Sequence, residues 1–493
     1  MFHSEKPGTL VVRAMRPAAL AKVLGLCLAL AAPTTARADS FTGEDWIVRF
    51  NLPDQTTSYS KISPDEFVLR DAWLARIDAL QANDSACLST YTFSGPSASC
   101  GAAGPILGAI SNALARGAKI GFVVGKDVDV ATNFWTGCSL QSLSIRSGNA
   151  LRLAQAPSTG IMHNKLGVFW YNATREPWVL SGSWNFTGGA SSEQWNVLVE
   201  IRNAELATAV SNELAQLLGG HFHDDKTKSH EPDDTHFRLD SSPAESWIRF
   251  APYPDGNYGG NNALRDITNA IAHATNSIYF SLNKLSRADV VDQLILACNR
   301  GVTVQGTIPK SDRSNPSGAS YAMYTNLLYS PAYTTGNRVQ LYDAWYSTER
   351  AKYDSTNRDL VHTKYMLIDP FGAKPMVIHG SANWTAAGLV QTSSNDENVL
   401  FLSHRRLALA FLAQFIAETG VPRPWIFSVV PGRAGLDISY WLPVSANSWA
   451  LEMSPSLTKT NWGKIKTLST TPGTNTVSVA TTNSTGFFLI RDE

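Results

Sequence analysis

The chain of 493 residues is predicted to fold as an α/β protein: two similar α/β halves in a pseudo-two-fold arrangement, then a small all-β sandwich. Three observations predict this. A helix–strand–helix–strand order occurs twice. Each copy ends in the same pair of short polar motifs, and internal repetition implies repeated structure. After Pro422–Pro424 the helical period disappears. The expected segments are 1–38, 39–222, 223–240, 241–422 and 423–493.

Residues 1–38 read as a secretory signal. Lys6, Arg13, Arg16 and Lys22 form a basic region, Val23–Ala32 a short apolar run, and Ala36-Arg37-Ala38 a small-x-small cleavage site. The apolar run is too short for a typical membrane span, and no other long apolar run follows. The expected location is secreted or periplasmic, with no transmembrane helix in the mature chain.

In the first half, helical patterns at Trp73–Leu80 and Ile106–Ala115 alternate with strand-like runs at Cys87–Phe93 and Ile120–Val124. In the second, Leu264–Ala274 and Val290–Cys298 alternate with Ser277–Leu282 and Val302–Ile308. Arg116-Gly117 and Arg300-Gly301 stop the second helix of each copy, glycine being the usual residue just past a helix end. Strands alternating with helices imply parallel pairing. Arg116 and Arg300 are 184 positions apart, but the motif histidines His163 and His362 are 199 apart. Copy two therefore carries about fifteen extra residues. They fall in the Tyr-, Ser- and Asn-rich stretch 311–359, expected to be a long loop beside a site, where substrate selection tends to lie.

Between the halves, 223–240 reads as a solvated linker. A metal site could be drawn from His221, His223, His230, His236 and the neighbouring aspartates, but the composition favours the linker. From Ile426 on, short alternating runs separated by Pro, Gly, Ser and Asn predict strands at sandwich spacing. This tail loosely resembles the Ig-like β-sandwich modules that end many exported bacterial proteins.

The whole chain is formally neutral, with 41 basic and 41 acidic residues. Five of the basic residues and only Glu5 among the acidic ones fall in 1–38, so the mature chain is acidic by about 4. This argues against affinity resting on a broad nucleic-acid footprint. Four cysteines follow the signal. Cys87–Cys100, closing a short loop, is the expected bridge in an exported protein. Cys298 is expected to be a buried thiol.

The motifs are His163-Asn-Lys165 with Gly182-Ser183-Trp-Asn185, and His362-Thr-Lys364 with Asp369 and Gly380-Ser381-Ala-Asn383. In strands, His163 and Lys165 would share a face, as would His362 and Lys364. A lone His-x-Lys is weak. Two copies in matching contexts are strong, because a purely structural pair of histidines would require both lysines to be buried as well. Each copy offers an imidazole, a fixed cation and small polar donors. That set suits displacement at a phosphodiester, which needs a nucleophile, a proton for the leaving oxygen and charge around the phosphoryl oxygens.

On these residues the chain resembles the phospholipase D superfamily over roughly 45–420, whose signature is His-x-Lys-x4-Asp followed by Gly-Ser-x-Asn. Copy two is complete, and Glu397 matches a downstream acidic residue of the family. Copy one departs: Trp170 stands at the Asp position, and Trp195 at the position matched to Glu397. The resemblance implies a covalent phosphohistidine on His163. His362 then acts as acid and base, with Glu397 expected beside it raising its basicity. Lys165, Lys364, Asn185 and Asn383 hold the phosphoryl oxygens, Asp369 is counted with the catalytic residues, and Ser183, Ser381 and Glu397 are in support. No cofactor and no metal ligand set is expected, since no phosphate-cradling Gly-rich loop, Ser-His-Asp elbow or His-Glu-x-x-His occurs.

The expected function is a secreted phospholipase D-type phosphodiesterase that releases phospholipid head groups to leave phosphatidic acid. Membrane-surface contact would then be made by aromatic residues (Trp135, Trp170, Trp178, Trp184, Trp384 and the Tyr-rich 321–346) lining the mouth. Two alternatives stand beside it. One is a metal-independent endonuclease of the same superfamily, with nucleic acid as substrate. The other is a non-catalytic lipid- or polymer-binding protein, to which Trp170 and Trp195 would point. Oligomeric state is not legible.

Overall fold

The structure, a computed structural model, describes residues 12–13, 40–53, 66–95, 102–135, 137–223, 225, 235–240, 242–253, 262–313, 315–329, 339–342, 360–390, 395–419, 425–432, 435–442, 449–454, 463–468, 473–480 and 487–492. The chain divides into two compact units, 38–419 and 1–37 with 420–493.

In the larger unit each half is a mixed sheet flanked by helices. The first sheet runs in the order Ser40–Thr42, Trp46–Phe50, Val197–Arg202, Trp178–Gly182, Leu166–Trp170, Ser85–Thr90, Lys119–Val124, Leu151–Gln155. The second runs His236–Phe237, Ser246–Ala251, Asn395–Leu402, Met376–Gly380, Lys364–Ile368, Ser277–Leu282, Thr303–Thr307, Gln340–Tyr342. The two orders correspond strand for strand. The expected parallel pairing holds at the helix-linked strands, such as Ser85–Thr90 with Lys119–Val124. The strands carrying the motifs pair antiparallel, Leu166–Trp170 with Trp178–Gly182 and Lys364–Ile368 with Met376–Gly380. Short connections let these strands fold back as hairpins without a crossover helix.

The repeated Arg-Gly stop has a physical basis. Gly117 and Gly301 take φ of 95° and 94°, a left-handed conformation that costs glycine little. The arginine before each reaches back to cap the preceding helix. Arg116 donates to the carbonyls of Ile77, Asp78 and Leu80, and Arg300 to those of Ile271 and Ala272. Asn203 and Asn262 accept from Leu206 and Arg265 backbone N–H groups at helix starts.

One hydrophobic core joins the halves around helices Ala204–Leu218 and Arg405–Thr419. Phe411 of the second half meets Phe50 of the first edge-on, with ring centroids 5.1 Å apart. Separate cores fill the outer face of each half.

Several expectations change. The stretch 311–359 contains helix Ala319–Tyr329 and strand Gln340–Tyr342, with 314, 330–338 and 343–359 outside the described residues. The segment 223–240 is tied down at both ends rather than solvated throughout. His223 is buried against Asp396. Asp240 accepts from the Asp45 backbone and the Trp46 indole. Cys87 carries a thiol rather than the expected bridge. Its Sγ turns onto the face where Gly121 and Leu218 pack, and burial pushes its pKa up to about 12. Cys100 lies outside the described residues.

In the smaller unit, Trp425–Gly432, Gly435–Leu442 and Gly473–Val479 form one antiparallel sheet. Trp449–Ser454, Gly463–Thr467 and Phe487–Asp492 form another, joined by Val12–Arg13. Apart from these two residues, the expected signal lies outside the described residues. Among the described residues no helix is long and apolar enough to cross a membrane.

Candidate active site

Each motif histidine sits at a break between strands, not in a continuous strand as expected. The residues just before it pair with the other half, and those after it enter their own sheet. Ile161–Met162 runs parallel to Asn395–Asp396, and Leu360–Val361 runs parallel to Gln194–Trp195. The histidine backbones continue the crossing. His163 N–H donates to the Asp396 carbonyl (2.9 Å) and His362 N–H to that of Trp195 (3.1 Å). Each histidine is therefore delivered by one half and anchored on the other.

The side chains cross as well. His163 Nδ1 lies 2.8 Å from Glu397 Oε2, and His362 Nδ1 lies 2.9 Å from Asn196 Oδ1. This corrects the expected placement of Glu397 beside His362. It also corrects the residue matched to Glu397, which is Asn196 and not Trp195. Ser183 Oγ donates to Asn196 Oδ1 and accepts from Val197 N–H. Ser381 Oγ donates to Glu397 Oε2 and accepts from Asn398 N–H. Asn196 uses its amide nitrogen on the Ala190 carbonyl, so its oxygen faces His362. Both imidazoles therefore donate from Nδ1 and keep a lone pair at Nε2, the tautomer being set by the partner.

The motif glycines permit this close packing. A Cβ on Gly182 would lie 2.4 Å from the Val197 carbonyl oxygen, and one on Gly380 would lie 2.1 Å from that of Asn398. The threonine two residues past each asparagine caps a short helix, Thr187 accepting from Ala190 N–H and Thr385 from Gly388 N–H. These caps hold Asn185 and Asn383 in place. The buried Oδ1 of each asparagine makes no hydrogen bond among the described residues, an arrangement suited to a site awaiting a polar ligand.

Lys165 and Lys364 are buried, 1% exposed each. Their ammonium groups donate to the carbonyls of His163 and His362, respectively. Burial pushes Lys165 down to about 7 against the pull of Glu397, and drives Lys364 well below its usual value, helped by Lys165. Burial also lowers His163 to about 4, with Glu397 opposing and Lys165 assisting. His362 is driven well below its ordinary range, first by burial, then by Lys364, Lys165 and His163. Among the described residues, His163, His362, Lys165 and Lys364 thus share one enclosure with the Glu397 carboxylate, a field that favours an anion.

Asp369 stands outside this group. Its oxygens accept from Thr275, Asn276 and Ser277 backbone N–H groups and the Thr275 hydroxyl. Burial raises its pKa, and these four hydrogen bonds override it to a net lowering. It braces a turn, which corrects its placement among the catalytic groups. At the corresponding place, Trp170 donates to Ser211 Oγ. The bracing carboxylate of the first half comes from the opposite side of the turn. Asp84 accepts from Gln81 and Asn172 N–H groups.

Tyr91 was missed by sequence reasoning. Its ring meets that of His163 edge-on at 5.3 Å and lies 5.6 Å from Lys165 Nζ. It directly follows strand Ser85–Thr90, where the second half has Asn283. Of the aromatics expected at the mouth, Trp184 and Trp384 are core residues, 1% exposed, and Trp178 stacks under the Arg76 guanidinium at 3.6 Å. Among the described residues, no group of three or more His, Cys, Asp and Glu side chains is placed to hold a metal ion.

Two halves, each with His-x-Lys and Gly-Ser-x-Asn, joined at a crossed histidine centre, define a class of phosphodiester-acting enzymes. The family model "Cardiolipin synthase, PLD-like domain" matches residues 77–218 and 267–418, more than half the chain, and this chain belongs to that phospholipase D-like family. A search of curated proteins finds no match. Among solved structures, the chain is similar to a phosphatidylserine synthase from Haemophilus influenzae Rd KW20, at 10% identity and TM-score 0.48, covering 72% of this chain and 85% of that one. It is similar to Nuc, a phospholipase D family member from Salmonella typhimurium, at 24% identity and TM-score 0.25, covering 35% of this chain and 93% of that one. Similarity to a polyphosphate kinase from Porphyromonas gingivalis is 14% identity with TM-score 0.45, covering 75% of this chain. The match spans about half of that kinase, 49%.

Proposed function

We propose that the protein hydrolyses the head-group phosphodiester of phospholipids outside the cytoplasm, leaving phosphatidic acid, through a phosphohistidine on His163. The observation that carries this reading is the crossed pairing of His163 with Glu397 and His362 with Asn196. In the first step His163 Nε2 attacks phosphorus. An N–P bond forms, the P–O bond to the head group breaks, and the leaving oxygen takes a proton from His362. Phosphorylation makes the His163 ring cationic, and the Glu397 carboxylate on Nδ1 offsets that charge. In the second step water attacks phosphorus and gives its proton to His362, and the N–P bond breaks back to a neutral His163. Lys165, Lys364, Asn185 and Asn383 surround the phosphoryl oxygens.

His362 must start protonated although burial disfavours it. A bound phosphodiester supplies the anion that restores its proton. The lipid reading is supported by the acidic balance of the mature chain, which disfavours a polyanionic polymer, and by the export signal read at 1–38. The smaller C-terminal unit is proposed as a surface-binding module.

The test is choline release from phosphatidylcholine vesicles in excess chelator, beside His163→Ala. Release that vanishes in the variant supports the reading. No release from lipid, with chelator-resistant cleavage of single-stranded DNA, would replace it with the nuclease reading. Binding without turnover of either substrate would favour a non-catalytic protein.

A further inference from the structure

We propose that His223 and Asp396 form a positioning pair for His163, a role that rests on the reading of His163 as the attacking group. His223 lies just beyond helix Ala204–Leu218, where sequence composition suggested solvated chain. Its side chain and that of Asp396 are both fully buried. His223 Nδ1 is 2.9 Å from Asp396 Oδ2, and the His223 backbone N–H points at the same oxygen at 3.3 Å. His223 Nε2 meets the carbonyl of Thr159.

These contacts fall on both sides of the bond that holds His163. Asp396 precedes Glu397 in strand Asn395–Leu402, so the two carboxylates leave opposite faces of one strand. The carbonyl of Asp396 accepts His163 N–H, and Asp396 pairs with Met162. Thr159 lies just ahead of strand Ile161–Met162. One buried imidazole thus clasps the strand that presents Glu397 and the segment that delivers His163.

The other half provides the control. There the carbonyl that accepts His362 N–H belongs to Trp195, an apolar ring in place of a carboxylate. Packing alone therefore suffices to seat a motif histidine at this position. A buried ionisable pair carries a desolvation cost that a well-packed apolar pair avoids, and its best-attested return is a defined geometry. The pair is found on the His163 side, where the imidazole must point Nε2 at phosphorus while Glu397 holds Nδ1.

The experiment compares His223→Ala, His223→Asn and Asp396→Asn with the full-length protein. Three readouts are taken: kcat and KM on bis(p-nitrophenyl) phosphate, thermal midpoint, and the tautomer of His163 by nitrogen NMR, assigned with His163→Gln. His223→Ala is expected to lower kcat by about 10²-fold, the scale of a misplacement near 1 Å, with KM little changed and the single Nδ1–H tautomer lost. His223→Asn, whose amide nitrogen takes the place of Nδ1 and still donates to Asp396, is expected to recover most of kcat and the tautomer. If His223→Ala fails to fold, the near-isosteric Asp396→Asn carries the same expectation. A lowered thermal midpoint with kcat per folded molecule and tautomer unchanged would overturn the proposal. The tautomer reads the pair without turnover. A wild type that cleaves no phosphodiester yet holds the Nδ1–H form, with that form lost in His223→Ala, would sink the hydrolase reading and leave the positioning claim standing.

Discussion

The two halves deliver their histidines by the same device and then hold them with different partners. His163 rests on a carboxylate, Glu397, and His362 on a neutral amide, Asn196. Tyr91 stands beside His163, where the other half has Asn283. Asp396 anchors the His163 backbone, and Trp195 that of His362. The bracing carboxylate also changes sides, from Asp84 to Asp369. Repetition supplies the two-fold frame that brings two imidazoles and two lysines together. On the proposed mechanism the departures from repetition separate their roles, since two like groups in one enclosure become acid and nucleophile only when their surroundings differ.

The largest effect should come from removing either histidine, and the pattern should differ between halves. His163→Ala is expected to abolish hydrolysis of every phosphodiester. His362→Ala should cost about 10²–10⁴-fold on an alkyl ester, the range for a lost general acid, and far less on a p-nitrophenyl ester, whose leaving group needs no proton. Equal losses on both esters would break the assignment. Next in size, Glu397→Gln should lower kcat by about 10²-fold, on the scale of a lost supporting partner. Asn196→Asp should instead move the active range to higher pH, because a carboxylate on Nδ1 favours the protonated ring of His362. Matching responses from both substitutions would erase the distinction drawn here.

The pH profile tests the enclosure itself. Lys165, lowered to about 7 chiefly by burial, is cationic below that value and neutral above it. Values of kcat/KM should fall as pH rises through about 7, whereas a profile flat far into the alkaline range would mean that Lys165 keeps its charge.

The smallest catalytic effect belongs to the bracing carboxylates. Asp369→Asn and Asp84→Asn should each cost about 1–3 kcal/mol of stability from buried donors left unpaired, with kcat nearly unchanged. For Asp369, whose folded pKa is depressed, the stabilisation is present above the ordinary carboxylate range. It fades as pH falls through the folded value, so the difference from wild type should shrink in acid. A large loss of kcat in Asp369→Asn would return it to the catalytic group.

Much of this was legible because local chemistry fixed it. Arg116-Gly117 and Arg300-Gly301 mark helix ends that only glycine closes without strain, and the residues between them carry the strand and helix periods. His163, Lys165, His362 and Lys364 stand out by repetition alone. What the sequence hid depends on contacts between the halves. No spacing rule places Glu397 on His163, since 234 positions separate them, and the same holds for His362 and Asn196. Tyr91 looks like one more residue of a strand-like run. His223 sits in a segment of solvated composition, and only the fold shows that Asp396 waits for it. Asp369 matched a motif, but the matching position says nothing of where its oxygens point.

The most direct test of the account is to trap the covalent intermediate. Wild-type protein and His362→Ala would be mixed with bis(p-nitrophenyl) phosphate, quenched in alkali to preserve the N–P bond, and digested for mass spectrometry. The account predicts a p-nitrophenyl phosphoryl group on His163, one p-nitrophenolate having left, accumulating in His362→Ala, where water is no longer activated. The same phosphoryl group on His362 of the wild type would contradict it, showing that the carboxylate-backed imidazole is the acid and the amide-backed one the nucleophile.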